Sequence, residues 1–191
     1  VGSEMCIRDR LMNELVGKAL KETQRAVDIV RRMRRFSASS EPAREAVDIN
    51  ALARDSIESS LSSAIPRPTV VIELDPLLPT VQADPVQIRQ VMTNLLKNAC
   101  EATSRQTDAR IVISTQCTGS IVQFNVRDNG PGIDPKIADR LFRAFETSKP
   151  NGMGLGLAIS RMIAQNHYGD LVVELGETGG GAYFGLRLPI R

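Results

Sequence analysis

The sequence predicts an α/β fold, a two-layer α+β sandwich in which a mixed sheet is covered on one face by helices, with one long helix ahead of it. Three observations carry this. From about residue 50 onward, β-branched runs alternate with amphipathic helical runs, the order that builds one sheet with helices packed on it. Ahead of them, from about Asp9 to Phe36, apolar residues recur at spacings of three and four with no proline. Eleven of the fourteen glycines lie from Gly130 onward, so the second half needs close approach of backbone.

Composition bounds the rest. The chain has 191 residues, 42% hydrophobic and 24% charged, with a net charge of +2. That is enough for one domain of about 150 residues and an appendage, and nothing in it argues for disorder. No apolar run approaches the roughly 20 residues of a membrane span, which predicts a soluble piece without membrane contact. Cys6, Cys100 and Cys117 are too scattered for a disulfide framework or a paired-cysteine metal site, which fits a reducing, cytoplasmic compartment. With His167 as the single histidine, a multi-histidine metal centre is excluded, as is any mechanism that needs two histidines. Residues 1–40 hold nine Lys/Arg against five Asp/Glu, much of the excess in Arg31, Arg32, Arg34 and Arg35. Without interleaved aromatics that cluster reads as a solvated helix face, so no nucleic-acid partner is expected.

Taken in order, residues 1–8 open a run, VGSEMCIRDR, that has no periodicity and no signal-peptide core. It resembles translated sequencing-adapter read-through, and a non-native or disordered leader is expected. Residues 9–40 follow as a helix and its end, with Met12, Val16, Ala19, Ala26, Val30 and Met33 on a narrow stripe flanked by Val27. So narrow a stripe needs a partner helix, and no other segment matches it, which predicts half of a helical hairpin. Ser37 to Pro42 breaks the helix and sets a domain boundary, with residues 41–191 as the second domain. There, Asn50 is expected to cap a helix running to about Ser63, ended by Pro66 and Pro68. Thr69 to Leu74 reads as a strand, with another at Thr80 to Ala83. Asp84 before Pro85 launches a strong helix to about Thr103. Arg110 to Thr118 and Ser120 to Arg127 form a hairpin turning at Gly119. A glycine-rich loop leads to a helix from about Leu155 to Asn166. Strands near Leu171 to Leu175 and Ala182 to Leu188 close the chain.

Three segments carry chemistry. On the helix after Asp84, Gln87, Gln90, Asn94, Lys97, Asn98 and Glu101 form a polar stripe opposite the apolar face. An amide oxygen suits Mg²⁺ that already carries phosphate and water, and a lysine beside it neutralises phosphate charge, although a plain solvated face has the same pattern. Directly after a strand, Asp128-Asn129-Gly130-Pro131-Gly132-Ile133 holds a carboxylate between glycines. It can accept from an exocyclic amine while a flat ring lies against backbone, or be an ordinary turn. Finally, Gly152-Met153-Gly154-Leu155-Gly156-Leu157 feeds a helix with free N–H groups where phosphates can sit. It is neither the dinucleotide fingerprint nor a P-loop.

In this order the segments resemble the ATP-binding domain of sensor histidine kinases, within the fold shared by gyrase, heat-shock-90 chaperones, these kinases and MutL (GHKL). Asn94-Leu95-Leu96-Lys97-Asn98-Ala99 matches the N box, and Asp128 to Ile133 the first glycine box. Leu141-Phe142-Arg143-Ala144-Phe145 matches the phenylalanine box, and Gly152 to Leu157 the second glycine box. The short stretch from Phe145 to Lys149 before the last box resembles the PAS-linked subgroup of oxygen sensors and nitrogen regulators. The resemblance implies a protein histidine kinase with ATP and Mg²⁺ as cofactors. Asp128 would read adenine, and Gly130, Gly132 and Ile133 would line its pocket. Asn94, Lys97, Lys149, Gly152 and the backbone of Gly154, Leu155, Gly156 and Leu157 would serve the phosphates. Asn98 would hold the metal. The preceding helix would belong to a dimerisation and phosphotransfer hairpin, with a homodimer and a response-regulator receiver domain as partners. The piece would be cytoplasmic, alone or as part of a membrane-bound sensor.

The resemblance also separates kinase from ATPase. Hydrolases of this fold place a glutamate four residues before the magnesium asparagine, where this chain has Asn94, which is no base at pH 7. The nucleophile implied is a histidine on the other hairpin helix. No residue of this chain matches it, since His167 sits at a helix end and reads as a cap. The fragment is therefore expected not to autophosphorylate alone. Tyr183 departs from a threonine expected near adenine. A serine kinase or a non-catalytic nucleotide-binding scaffold of the same fold is the alternative.

Overall fold

The computed structural model describes residues 16–17, 42–62, 67–147, 154–175 and 180–190. By its contacts the chain divides into two compact units, Val1–Ser40 and Glu41–Arg191. The expected leader and long helix lie outside the described residues, except that Val16 and Gly17 are helical. No helix among the described residues is long and apolar enough to cross a membrane.

The second unit is built on two sheets. A small one pairs β1 (Glu45–Val47) with β3 (Val81–Ala83), antiparallel. The main one contains β2 (Thr69–Glu73), β4 (Arg110–Thr118), β5 (Ile121–Asp128), β6 (Asp170–Leu175) and β7 (Ala182–Pro189), in the order β2-β4-β5-β7-β6. Only β2 and β4 run parallel, so the sheet is mixed as expected. Alternate residues of the central strands, Ile111 and Ile113, Val122, Phe124 and Val126, and Phe184, Leu186 and Leu188, are buried. They lie on one face because strand side chains alternate.

Helices α1 (Ile49–Leu61), α2 (Pro85–Thr103) and α4 (Gly156–Asn166) supply the second layer. Helix α2 contributes Ile88, Val91, Met92, Leu95, Leu96 and Ala99 to the core and packs on α1, α4 and β5. Its start is the one expected: the Asp84 carboxylate accepts from Val86 N and Gln87 N, and Pro85 occupies a position that has no donor to lose. Helix α1 differs. Its cap is Asp48, which accepts from Ala51 N, and Asn50 lies in the first turn. The Asn50 amide ties three elements instead, donating to Asp75 O at 2.7 Å and accepting from Thr115 Oγ1 at 2.7 Å. Strand β1 and the single turn α3 (Pro135–Ala138, capped by Asp134) were not expected, each being too short to show a period.

His167 caps α4 as expected, and does more. It is 2% exposed; its Nδ1 lies 2.8 Å from Ile163 O, and its Nε2 accepts from Asp84 N at 3.0 Å. The neutral ring thus joins the end of α4 to the start of α2. Gly169 N bonds to Ala164 O and Tyr168 N to Gln165 O, a Schellman closure. Tyr168 takes the left-handed position at φ +60, where Arg44 lies 4.9 Å over its ring and donates to Asn166 O at 2.8 Å.

Candidate functional site

At one end of the site stands Asp128, the last residue of β5, on the same face of the strand as Phe124 and Val126. It is 5% exposed. Its Oδ1 accepts from Gly130 N at 2.9 Å and Ala182 N at 3.4 Å, so the carboxylate is oriented by backbone from two directions. Backbone could not come so close past side chains. A Cβ on Gly130 would stand 2.8 Å from Asp128 Oδ1 and 3.0 Å from Ala102 O of α2. One on Gly181, at φ +81, would run into the carbonyl oxygen of Asp128. Gly132, at φ +79, is close as well: a Cβ there would stand 3.2 Å from Gly181 O. Ile133 beside them packs against the core. Asn129 has a purely structural use: its Oδ1 accepts from Arg110 N at 2.8 Å and its Nδ2 donates to Asp108 O at 2.9 Å.

At the other end, α4 begins differently from α1, α2 and α3. Asp48, Asp84 and Asp134 cap theirs with carboxylates, whereas α4 begins after Leu155 with no side-chain cap. Its first N–H groups have no intrahelical partner, and a dipole's positive end is presented there. Anions suit such a place.

Helix α2 runs between these ends. Its polar stripe carries Asn94, Lys97 and Asn98, with Asn98 half-buried and Lys97 exposed. Asn94 Nδ2 donates to Ser160 Oγ at 3.0 Å, and a Cβ on Gly156 would stand 2.5 Å from Asn94 Oδ1. Asn94 is therefore where α4 seats on α2. Lys97 Nζ lies 3.9 Å from Glu101 Oε1, an exposed pair one turn apart that is worth about 0.4 kcal/mol and leaves the ammonium available to a stronger anion. On the same helix, burial and then the Glu101 charge push the Cys100 thiol up, so it stays a thiol.

Leading into α4, Gly154 O accepts from Phe145 N at 3.0 Å, closing the base of a loop. Gly154 is at φ +63, where a Cβ would press on the backbone of Phe145 and Glu146. Lys149 and Gly152, expected to serve phosphates, lie outside the described residues. The structure thus sets Asn94 against Gly156 at the start of α4 and Gly130 against Ala102 near the end of α2, so both ends border the helix that carries Lys97 and Asn98.

One reading changes. Tyr183 does not stand near Asp128: strand alternation places it on the opposite face of the sheet, where its hydroxyl donates to Asn125 Oδ1 at 2.7 Å. Burial and then the Glu174 charge raise its phenol, which stays a donor. The residue beside the Asp128 carboxylate is Ala182. Sequence reasoning also missed Ser160 and Ala182; each acts from a strand or helix distant in the chain, and no local pattern marks it.

Comparison with known proteins gives a consistent picture. Residues 83–191 match the family model described as Histidine kinase-, DNA gyrase B-, and HSP90-like ATPase. The chain is 34% identical over 174 residues to the sensor protein FixL of Bradyrhizobium diazoefficiens, covering 90% of this chain and 34% of that protein. Among solved structures, full-length ShkA in complex with AMPPNP is similar with a TM-score of 0.69 and 31% identity, over 80% of this chain and 32% of that one. Histidine kinase ThkA in complex with response regulator protein TrrA is similar with a TM-score of 0.72 and 27% identity, over 90% of this chain and 49% of that one. The chain spans half or less of the length of the curated relatives it matches.

Proposed function

Since the chain belongs to the family of histidine kinase-, DNA gyrase B- and HSP90-like ATPases, we propose that residues 41–191 are the ATP-binding catalytic domain of a two-component sensor histidine kinase. Residues 9–40 are the second helix of its dimerisation and phosphotransfer hairpin. The observation that carries the reading is the pairing of a buried, backbone-oriented Asp128 carboxylate with the uncapped start of α4, both bordering the polar stripe of α2.

The Asp128 carboxylate accepts the adenine amine, and Gly130, Gly132 and Ile133 let the ring lie against backbone. Phosphates meet the N–H groups of Gly154 to Leu157, with Lys97, Lys149 and the Gly152 segment adding charge and donors, and Asn94 holding α4 at the right distance. Among the described residues no three His, Cys, Asp or Glu side chains gather to hold a metal. That donor set fits an ion that brings phosphate oxygens and water as most of its ligands, as Mg²⁺ does, with the Asn98 amide oxygen as the protein's share. Held there, Mg²⁺ would supply positive charge against the phosphates.

One feature favours transfer over hydrolysis. Asn94 is an amide, already engaged by Ser160, and cannot deprotonate a water. His167 has both ring nitrogens in hydrogen bonds and is buried, so it is no phosphoacceptor. The γ-phosphate passes to a histidine supplied by another stretch of polypeptide, in a cytoplasmic homodimer, and from there to an aspartate of a response regulator. Likeness to ThkA, solved with its regulator, supports that partner.

Calorimetry with a non-hydrolysable ATP analogue and Mg²⁺ tests binding, and absence of binding sinks the reading. Adding a histidine-bearing helical hairpin from a FixL-like kinase with labelled ATP should give acid-labile label on the hairpin. Acid-stable label would point to a serine kinase instead.

A further inference from the structure

Ser160 lies outside every segment read for chemistry, yet its hydroxyl is turned toward the site. Three buried hydroxyls sit inside helices, at Ser56, Thr103 and Ser160. Ser56 Oγ donates to Leu52 O at 2.7 Å and Thr103 Oγ1 to Ala99 O at 2.9 Å, each bonding back to the carbonyl four residues earlier in its own helix. Ser160 does otherwise. In the second turn of α4 and 1% exposed, it reaches across to α2 and accepts from Asn94 Nδ2 at 3.0 Å.

That bond decides which end of Asn94 faces the phosphates. An amide has a donor end and an acceptor end, and turning it over swaps them. With the nitrogen held by Ser160, the oxygen points at the first residue of α4: a Cβ on Gly156 would stand 2.5 Å from Oδ1 and 3.1 Å from Nδ2. The uncapped start of α4 favours the same orientation, since the positive end of its dipole draws the acceptor. An amide oxygen in that place has nothing to accept from a bare triphosphate, whose oxygens are acceptors themselves and repel it. Water carried in on a divalent cation has protons to give it.

We propose that Ser160 is a positioning residue that makes the site select the magnesium complex of the triphosphate over the bare triphosphate. It does so by holding Asn94 Nδ2, which keeps Oδ1 turned to the start of α4 as an acceptor for metal-bound water. Released from Ser160, the amide is free to turn over and offer Nδ2 to a phosphate oxygen, and the preference for the metal complex shrinks. This rests on the nucleotide site proposed above.

The test is calorimetry on the 191-residue chain with three ligands: a non-hydrolysable ATP analogue in excess Mg²⁺, the same analogue in EDTA, and adenosine. The quantity read is the ratio of the Mg²⁺ affinity to the EDTA affinity. In Ser160→Ala this ratio should fall about fivefold, the worth of one hydrogen bond, with adenosine within about twofold of wild type. Asn94→Ala should lower the ratio by itself, and Ser160→Ala added to it should change the ratio no further. An unchanged ratio in Ser160→Ala overturns the proposal. So does an equal loss for all three ligands, which a merely structural role would produce, or a fall that persists in the Asn94→Ala background. A wild-type chain that binds the analogue equally well with and without Mg²⁺ overturns this proposal and leaves the nucleotide site standing. One that binds none of the three ligands overturns the nucleotide reading, and this proposal with it.

Discussion

At the Asp128 end, three glycines let backbone from β5, β7 and the loop between Asn129 and Ile133 close around one carboxylate. At the α4 end, the parts are joined by side chains: Asn94 to Ser160, Arg161 to Asp170, and Phe142 under the guanidinium. Backbone closure has little freedom to relax, whereas side-chain joints can be loosened singly and re-formed. A rigid end suits the part of a nucleotide that never changes. On the reading proposed above, an adjustable end would suit the phosphates.

The widest break in this contrast should come from Gly181→Ala. Its Cβ would meet the Asp128 carbonyl from a left-handed backbone, at a cost of about 3 kcal/mol. Thermal denaturation should show Tm lower by about 9 °C, with nucleotide binding lost. A Tm within about 2 °C of wild type would mean that the end is softer than described.

Asp128→Asn separates chemistry from architecture at the same end. Its remaining oxygen can still accept from Gly130 N, so Tm should move little, while on the proposed reading the new amide would meet the adenine amine donor to donor. Calorimetry should show affinity for an ATP analogue reduced about 30-fold.

Gly156→Ala probes the adjustable end. The added methyl meets Asn94 Oδ1, the tip of a side chain, and should cost about 1.5 kcal/mol. Combined with Asn94→Ala it should recover about 1 kcal/mol in a double-mutant cycle of urea melts. Strict additivity would show that Asn94 is not the seat of α4.

The smallest effect is on acid stability. Asp170 is held below its ordinary value of 3.8, first by the Arg161 hydrogen bond. A depressed carboxyl contributes its stability in full above that value and loses it as pH falls through the lower, folded one. Both side chains are about two-fifths exposed, so the contribution is under about 1 kcal/mol. Urea melts from pH 5 down to 2 should fall less steeply for Asp170→Asn, with curves converging at the acid end.

Legibility followed the range of each signal. Helix α2 could be read nearly to the residue, because Asp84-Pro85 and an apolar stripe are local marks of start and length. The β4–β5 hairpin was legible for the same reason, with its turn at Gly119 as expected. Asn50 misled because it has the chemistry of a cap, while the two groups it binds, Asp75 and Thr115, are far along the chain. Asp128 and its glycines stood out as a compact run. Ala182 and Ser160 did not, since an alanine or serine carries no mark of the neighbour it will meet.

By itself, then, the sequence determined most of the helices and strands, the Asp84 cap of α2, and the compact glycine-flanked run around Asp128. These depend on period, propensity and side-chain chemistry, all expressed within a few residues. Only tertiary structure decided that β7 lies beside β5, which delivers Gly181 and the Ala182 amide to Asp128, and that α4 seats its glycine on Asn94. Those pairings are chosen by burial of the whole apolar face and completion of the whole ladder of hydrogen bonds, and no local pattern encodes them.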